Sequence, residues 1–363
     1  MTEIHITDLE AWCNIDFKEN TNPLSIAHHL YLNGEEIKDL VIPNTVTSIG
    51  NYTFVYCTGL SSVTIPSSVT NIGLYTFYGC SNLNSVYISD LAAWCNINFY
   101  DNHSNPLSIA HHLYLNGDEV RDLFIPNSVT KIGSYAFYNC YGLNTLTIPN
   151  SVTSIGSYAF QSCSGLTSAI IGNSVTSIGY SAFLNCRNLT SMTIGNSVTS
   201  IGSYAFQNCS ALPSLSIPNS VISIGTSAFS GCIGLTSATI GGGVTSIGQY
   251  AFSDCINLEQ VYSGIRMILN INKNVFSDKT YLNAMLYVPS GRKKAYQAAT
   301  GWQNFVYMEE WEPSGIKTIN RENGETVEEL ERYDASGKLI TEPVKGLNII
   351  RMSDGTVKKV VVK

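Results

Sequence analysis

Cysteine is the residue whose type and spacing most suggest chemistry in this chain of 363 residues, which contains ten cysteines. Eight of them recur at one place in a repeated pattern: Cys57, Cys80, Cys140, Cys163, Cys186, Cys209, Cys232 and Cys255. Such thiols could pair as disulfides, bind a metal or pack as small apolar side chains. If each repeat adds one strand, neighbouring thiols lie about 4.8 Å apart, which permits disulfides. The flanking phenylalanine and leucine favour buried thiols instead, and the chain has no CxxC motif of the kind that structural zinc sites usually show.

Two histidine pairs, His28–His29 and His111–His112, are the next candidate ligands. Adjacent residues on a strand point to opposite faces, so one pair cannot chelate one ion. The two pairs are three to four repeats apart, roughly 14–20 Å at a strand-spacing rise, so they cannot share a metal. We expect one histidine of each pair to be packed and hydrogen-bonded and the other to be exposed. His5 and His103 are isolated, and Cys13 and Cys95 fit the buried-thiol interpretation.

A catalytic site needs a nucleophile or an acid beside an orienting partner. Between Asn127 and Leu258 the chain has many serines but no histidine, and its charged residues there are Lys131, Arg187 and Asp254. The Gly241–Gly243 run has no lysine after it and does not match a phosphate-binding loop. We therefore predict no enzyme, no metal and no cofactor.

Charge is sparse throughout the chain. Charged residues make up 13% of it and the net charge is −7, which argues against nucleic acid as a partner. Hydrophobic residues reach 44%, so a buried core is expected. No apolar run is long enough to cross a membrane. The first residues lack signal-peptide features, so the protein is either cytoplasmic or has lost a signal peptide; because these residues already follow the internal pattern, we favour the second alternative and expect a secreted or cell-surface protein.

These residues are positioned by a 23-residue repeat. An Ile-Gly pair marks each copy, at Ile49, Ile72, Ile132, Ile155, Ile178, Ile201, Ile224 and Ile247, and only the step from Ile72 to Ile132 is longer, at 60 residues. In the copy that starts at Val198, residues 212–218 alternate apolar and polar side chains, which predicts a short strand that ends at Pro218. The return arm, residues 198–206, is predicted to be irregular or 3₁₀. One copy buries too little apolar surface to offset the ordering of its backbone, so the copies must stack as a solenoid.

The pattern LxxLxIPxxVTxIGxYAFxxC resembles the BspA-like leucine-rich repeats of bacterial surface proteins. The resemblance covers roughly residues 1–312. It implies a right-handed, β-rich leucine-rich-repeat solenoid with little helix, in which each repeat adds a short parallel strand to one curved face. It also implies adhesion to host or extracellular proteins.

A longer block of sequence occurs twice in the chain, in addition to the 23-residue repeat. Its second copy lies between Ile72 and Ile132 and explains the 60-residue step. Each copy contains an AWC motif and the sequence LYLNG. Asn-Gly between two strand-like runs predicts a hairpin with a type I′ turn. In the second copy we predict a helix over Leu91–Ile97, with Asp90 as its N-cap.

The chain is predicted to have two domains. The solenoid spans 1–312, and its C-terminal cap, about 264–312, includes a helix that Ser290 caps and that runs to about Ala299, with Tyr296 and Trp302 covering the last coil. Residues 313–363 are predicted to form a small β unit. This tail resembles the C-terminal sorting domains of bacterial type IX secretion, which implies export.

A neutral surface remains as the candidate site. Strand alternation turns hydroxyls outward in most repeats, and the predicted binding residues are Ser62, Thr64, Thr145, Thr147, Ser191, Thr193, Ser214, Ser216, Ser237, Thr239 and Tyr262. A second row, of tyrosines, is expected on the return arms. We predict a non-enzymatic, monomeric binding protein whose partner is an extracellular or host protein. Glycan binding and a structural spacer at the cell surface remain open, as does a merely solvated face.

Overall fold

The computed structural model describes residues 2–311 and, beyond them, only the backbones of five strands. Within 2–311 the chain forms a stack of coils, and each regular coil contributes one strand to a front face and a shorter strand to a back face. Neighbouring front strands are parallel and in register at steps of 23 residues, as in the pairing of Thr145–Ile148 with Ser168–Ile171. The β-rich solenoid predicted from the repeat is confirmed.

Strands are numbered in chain order. The front strands are β1 Ile4–Ile6, β2 Leu30–Leu32, β4 Asp39–Val41, β6 Ser62–Ile65, β8 Ser85–Ile88, β10 Leu113–Leu115, β12 Asp122–Phe124, β14 Thr145–Ile148, β16 Ser168–Ile171, β18 Ser191–Thr193, β20 Ser214–Ile217, β22 Ser237–Ile240, β24 Gln260–Ser263, β25 Met285–Pro289 and β26 Tyr307–Trp311. The hairpin strands are β3 Glu35–Glu36 and β11 Asp118–Glu119.

The back strands are two residues long, and the return arms that carry them are otherwise made of turns. They are β5 Ser48–Ile49, β7 Asn71–Ile72, β9 Asn98–Phe99, β13 Lys131–Ile132, β15 Ser154–Ile155, β17 Ser177–Ile178, β19 Ser200–Ile201, β21 Ser223–Ile224 and β23 Ser246–Ile247. The expectation of an irregular or 3₁₀ arm was therefore incomplete. From Ile132 to Ile247 the isoleucine before each glycine pairs with its equivalent in the next coil, which forms a six-stranded parallel sheet; β5, β7 and β9 form a separate three-stranded one, in which Ile72 pairs with Phe99.

The core runs along the axis of the stack between the two faces. One phenylalanine per coil is buried there, and successive rings stack with centroids 5.1–5.6 Å apart from Phe54 to Phe77 and from Phe137 to Phe276. Leucine, valine, isoleucine and cysteine at fixed repeat positions surround these rings. Because every coil packs on the next, the apolar surface of one repeat is covered by its neighbours.

The front face is interrupted at three places. Two interruptions follow the Asn-Gly hairpins, where β3 and β11 run antiparallel to β2 and β10 and end their sheets. The third lies between β18 and β20, in front of Pro213. At the equivalent position of another coil, the Thr190 N–H donates to the Thr167 carbonyl, and proline has no N–H with which to make this bond.

The duplicated block is built around short helices. They are α1 Leu9–Cys13, α2 Leu24–Ala27, α3 Leu91–Cys95 and α4 Leu107–Ala110. The Asp90 side chain accepts from the N–H groups of Ala92 and Ala93, so the predicted N-cap is confirmed, but the helix ends at Cys95 rather than at Ile97. In the hairpin, Asn116 and Gly117 both have positive φ, 52° and 97°, as a type I′ turn requires.

Helices α5 Asp278–Asn283 and α6 Lys293–Ala298 and the 3₁₀ turn Trp302–Asn304 form the C-terminal cap. Tyr296 and Trp302 are fully buried over the last coil, as predicted. The prediction that Ser290 caps the helix was wrong. Ser290 lies in a turn before α6, and the carboxylate of Glu310 on β26 instead accepts from the Lys293 N–H at 3.1 Å.

The tail falls largely outside the described residues. Its strand backbones are β27 Ile319–Asn320, β28 Thr326–Val327, β29 Glu329–Tyr333, β30 Gly346–Met352 and β31 Val357–Val362. The last three pair antiparallel, and the residues that connect them, 334–345 and 353–356, lie outside what is described.

Candidate binding surface

The front strands present two outward positions in each coil. In β20 the inward residues Leu215 and Ile217 are buried, whereas Ser214 and Ser216 are exposed. Strand pairing aligns these positions into columns, so that Thr147 lies beside Ile170, which lies beside Thr193, and Ser216 lies beside Thr239, which lies beside Tyr262. The predicted residues therefore come together as two columns, which the break at Pro213 divides between two sheets.

Exposure differs among the predicted residues. Ser191, Thr193, Ser214 and Ser216 are exposed, and Ser62, Thr64, Thr145, Thr147, Ser237, Thr239 and Tyr262 are half-buried. The hydroxyls of Ser62 and Thr145 donate to the carboxylates of Asp39 and Asp122 in the preceding coil, each at 2.6 Å. These two hydroxyls support neighbouring side chains and are less free to contact a partner.

Sequence reasoning missed the large apolar side chains on the same face. Val41, Phe124 and Ile170 are 60%, 65% and 49% exposed, and they occupy the outward column that threonine or serine fills in other coils. Their outward position follows from the alternation along each strand. The predicted binding residues included only side chains that carry a hydroxyl group, so these three apolar residues were left out.

The front face gains aromatic side chains towards its C-terminal end. Tyr262 stacks on Tyr287 with ring centroids 4.5 Å apart, and Trp311 meets Tyr262 edge-on at 5.0 Å. Desolvation by neighbouring groups raises the pKa of the Tyr262 hydroxyl, so it stays neutral. A face of hydroxyl, aliphatic and aromatic groups can form apolar and hydrogen-bonding contacts with little net charge.

The tyrosine row on the return arms exists, and its first four members stack in pairs, whereas Tyr250 at its far end is exposed. Tyr52 and Tyr75 stack at 5.4 Å and 4°, and Tyr135 and Tyr158 stack at 4.7 Å and 7°. These four side chains are half-buried. Because each stacked ring already covers a neighbour's face, the row offers few open aromatic platforms to a sugar.

All ten cysteines are buried and unpaired, which confirms that they occupy core positions. In the regular coils the thiol donates to the carbonyl of the phenylalanine 26 residues earlier, in the preceding coil. The Sγ–O distances are 3.1 Å for Cys80 and Cys163 and 3.2 Å for Cys186. Burial raises the pKa of the Cys186 thiol to about 12. Such a thiol is a poor nucleophile and a poor metal ligand at neutral pH.

The histidine pairs do not lie on strands as expected. His28 and His111 each end a short helix with positive φ, and their Nδ1 atoms lie 3.2 and 3.1 Å from the carbonyl oxygens of Tyr56 and Asn139. His112 Nδ1 lies 2.6 Å from Glu119 Oε1, and His29 makes the equivalent contact with Glu36. Both members of each pair thus have partners. Among the described residues, no group of three or more histidine, cysteine or acidic side chains could hold a metal ion.

Within the part of the chain that the structure describes, no helix has the length and apolar character that a membrane span requires.

Comparison with known proteins agrees with this architecture. Six copies of the BspA type leucine-rich repeat region match, over residues 24–110, 91–213 and 199–299. No functionally curated protein matches the chain significantly.

Solved structures with a similar fold come from bacteria. The pneumococcal vaccine antigen PcpA is 18% identical with a TM-score of 0.52, over 78% of this chain and 73% of PcpA. A leucine-rich repeat protein from Bacteroides ovatus is 26% identical with a TM-score of 0.47, and the match covers 76% of this chain and 66% of that protein. A leucine-rich repeat protein from Eubacterium ventriosum is 21% identical with a TM-score of 0.46, over 76% and 70% of the two chains. The likeness to PcpA supports the same fold.

Proposed function

We propose, from the premise that this chain belongs to the BspA-type leucine-rich repeat family, that it is a non-enzymatic binding protein that acts outside the cell or at its surface. The observation that carries the proposal is the front face, where columns of hydroxyl and apolar side chains run across successive coils. The rigid stack holds these side chains in place before a partner arrives, which lowers the entropic cost of binding.

The composition of this face favours a protein partner. Ser214, Ser216 and Thr193 supply hydrogen-bonding groups, and Ile170 supplies exposed apolar area beside them. Protein interfaces combine a core of apolar and aromatic contacts with polar groups around it. A glycan would favour an exposed aromatic row, and the stacked tyrosines of the return arms fit that requirement poorly.

A screen of the full chain against arrays of extracellular proteins and of glycans tests the proposal. We expect capture by one or more proteins, with an affinity that changes little as salt is raised, because the outward positions of β14 to β24 carry no charged side chain to be screened. Capture by glycans alone, or no capture on either array, would contradict the assignment of a protein-binding role.

A further inference from the structure

The duplicated block creates the same cleft twice on the front of the solenoid. The first cleft, of about 400 Å³, lies between the β2–β3 hairpin and β4, and its lining includes Glu35, Glu36, Asp39 and Val41. The second, of about 510 Å³, lies between the β10–β11 hairpin and β12, and its lining includes Asp118, Glu119, Asp122 and Phe124. Val41 and Phe124 continue one outward column of the front face into these clefts, but the serines and threonines of the columns do not line either cleft.

Each cleft is bordered by a strand with one unpaired edge. Among the described strands, β12 pairs only with β14 and β4 pairs only with β6. The Thr145 N–H donates to the Arg121 carbonyl and the Ile125 N–H donates to the Thr147 carbonyl, so residues 121, 123 and 125 direct their backbone groups towards β14. The backbone groups of the alternate residues, Asp122 and Phe124, therefore point the other way, towards the hairpin.

These outward backbone groups have no backbone partner among the described residues, and the same holds for Asp39 and Val41 in the first cleft. An unpaired strand edge is a template on which an extended peptide can add a strand. In each cleft the edge also carries an exposed apolar side chain, Val41 or Phe124.

The charges around both clefts are mainly acidic. Three carboxylates line each one, against a single cation, Lys38 in the first and Arg121 in the second. Arg121 is already paired with Glu119 at 2.7 Å, and within residues 2–311 Asp118 and Asp122 have no cationic partner. Asp39 is held by the hydroxyls of Ser61 and Ser62, which lower its pKa, so it remains ionised and fixed in place.

We infer that the two clefts are a bivalent docking site for an extended basic segment of a partner protein. In the first cleft the segment adds a strand along β4, directs basic side chains to Asp39 and Glu35, and places an apolar side chain on Val41. In the second cleft it makes the equivalent contacts with β12, with Asp122 and Asp118, and with Phe124. Each edge strand is three residues long, so a single cleft binds weakly. The two added strands lie beside β4 and between β11 and β12, so about six strand spacings of about 4.8 Å separate them, or roughly 29 Å.

The test uses a peptide that repeats Lys-Thr-Val-Thr, offered to the full chain singly or as two copies on one linker; its lysine and valine are two residues apart and so face the same side of the added strand, as Asp39 and Val41 do on β4. A Gly/Ser linker of about 27 residues has a root-mean-square length of about 26–31 Å, which matches the separation. We expect the two-copy peptide to bind at least ten-fold more tightly than the single copy, because the second contact becomes intramolecular. N-methylation of alternate backbone nitrogens in the peptide should abolish binding, since it removes the ladder donors.

Neutralised variants locate the site. In the variants E35Q/D39N and D118N/D122N, the affinity for the two-copy peptide should fall to that for the single copy. All four changes together should remove binding. The matched control, D254N/E259Q, changes the same charge at two exposed residues far along the chain. An equal loss in the control, or equal binding of the N-methylated peptide, would overturn the inference. A protein that the array screen captures through the hydroxyl columns should bind the variant with all four changes as tightly as wild type, so the failure of one proposal can be told from the failure of the other.

Discussion

At the scale of single residues, the repeated cysteine is a structural side chain. The carbonyl of each core phenylalanine faces the next coil, and a thiol there fills a small apolar site while donating a weak hydrogen bond, as Cys186 does to Phe160. Alanine would leave the space unfilled and remove the thiol donor, although the Phe160 carbonyl would still accept from the Cys163 N–H at 3.3 Å.

The buried thiols predict a loss of stability at alkaline pH. Desolvation raises the pKa of Cys57, Cys140 and Cys186 from an ordinary value of 9.0 to about 12. Above pH 9.0 the unfolded chain releases thiol protons that the folded chain keeps, so the free energy of unfolding falls as pH rises towards 12. Each such group contributes a slope of about 1.4 kcal/mol per pH unit. We expect the thermal midpoint to be steady up to about pH 8 and to fall steeply above pH 9.

A variant with alanine at Cys140, Cys163 and Cys186 is the control. It should start less stable but show a shallower alkaline fall, because three of the responsible groups are gone. A thiol reagent at neutral pH should label the native protein slowly and label ten thiols after unfolding. Rapid labelling of the native protein would show that the thiols ionise freely in the folded state. An equal fall of the thermal midpoint above pH 9 in the two proteins would show the same.

At the scale of the coil, glycine serves two different purposes. Gly117 adopts φ +97° in the hairpin turn, and a Cβ built on it would meet nothing within 4 Å. Gly179 of the Ile-Gly pair has no such φ, but a Cβ there would come within 2.6 Å of the Gly156 and Ser157 backbone in the preceding coil. The first glycine is needed for its conformation, and the second allows adjacent coils to approach.

Substitution by alanine should separate these two roles. We expect G117A to cost about 1–2 kcal/mol of stability, the usual penalty for a left-handed non-glycine residue. G179A should cost about 3 kcal/mol or more, because a backbone cannot move aside as a side chain can. Thermal unfolding of both variants measures the difference, and equal losses would contradict the close approach of the coils.

Much at this scale could be predicted from sequence. The 23-residue period, the alternation in residues 212–218 and the Asn-Gly pairs each reflect a local rule, and the structure follows them. The back sheet was not foreseen, because a two-residue strand such as Ser177–Ile178 is too short to show alternation. The cap on α6 was assigned to Ser290 from local sequence, whereas Glu310 reaches it from a later strand. The clefts were missed because they arise where two coils fail to pair.

At the scale of the whole molecule, the solenoid is held together by contacts between neighbouring coils. The stack is closed at its C-terminal end by α6, with Tyr296 and Trp302 buried beneath it. The predicted boundary near residue 312 follows this cap.

Removal of residues 313–363 tests that boundary. Because the repeat pattern stops before them, we expect residues 1–312 to unfold cooperatively with little change in thermal midpoint. Circular dichroism during heating provides the measurement. A matched truncation after residue 284 removes β25, α6 and β26 and should destabilise the protein strongly. A broad transition in the longer fragment would place the domain boundary elsewhere.

The central claim is that the front face binds a protein partner, and paired lysine variants test it most directly. The variant T147K/T193K/T239K places three charges on the front columns in alternate coils. Its control, T153K/T199K/T245K, places the same three charges in the same coils, six residues further along at exposed positions on the return arm.

Both variants should keep their fold, since substitutions at the surface usually change stability by about 0.5 kcal/mol or less. The measurement is the dissociation constant for a protein partner captured in the array screen, determined for wild type and for both variants. The front variant should lose affinity ten-fold or more, which is about 1.4 kcal/mol, and the control should bind like wild type. Unchanged binding by a folded front variant, or an equal loss in the control, would contradict the assignment of the front face as the binding surface.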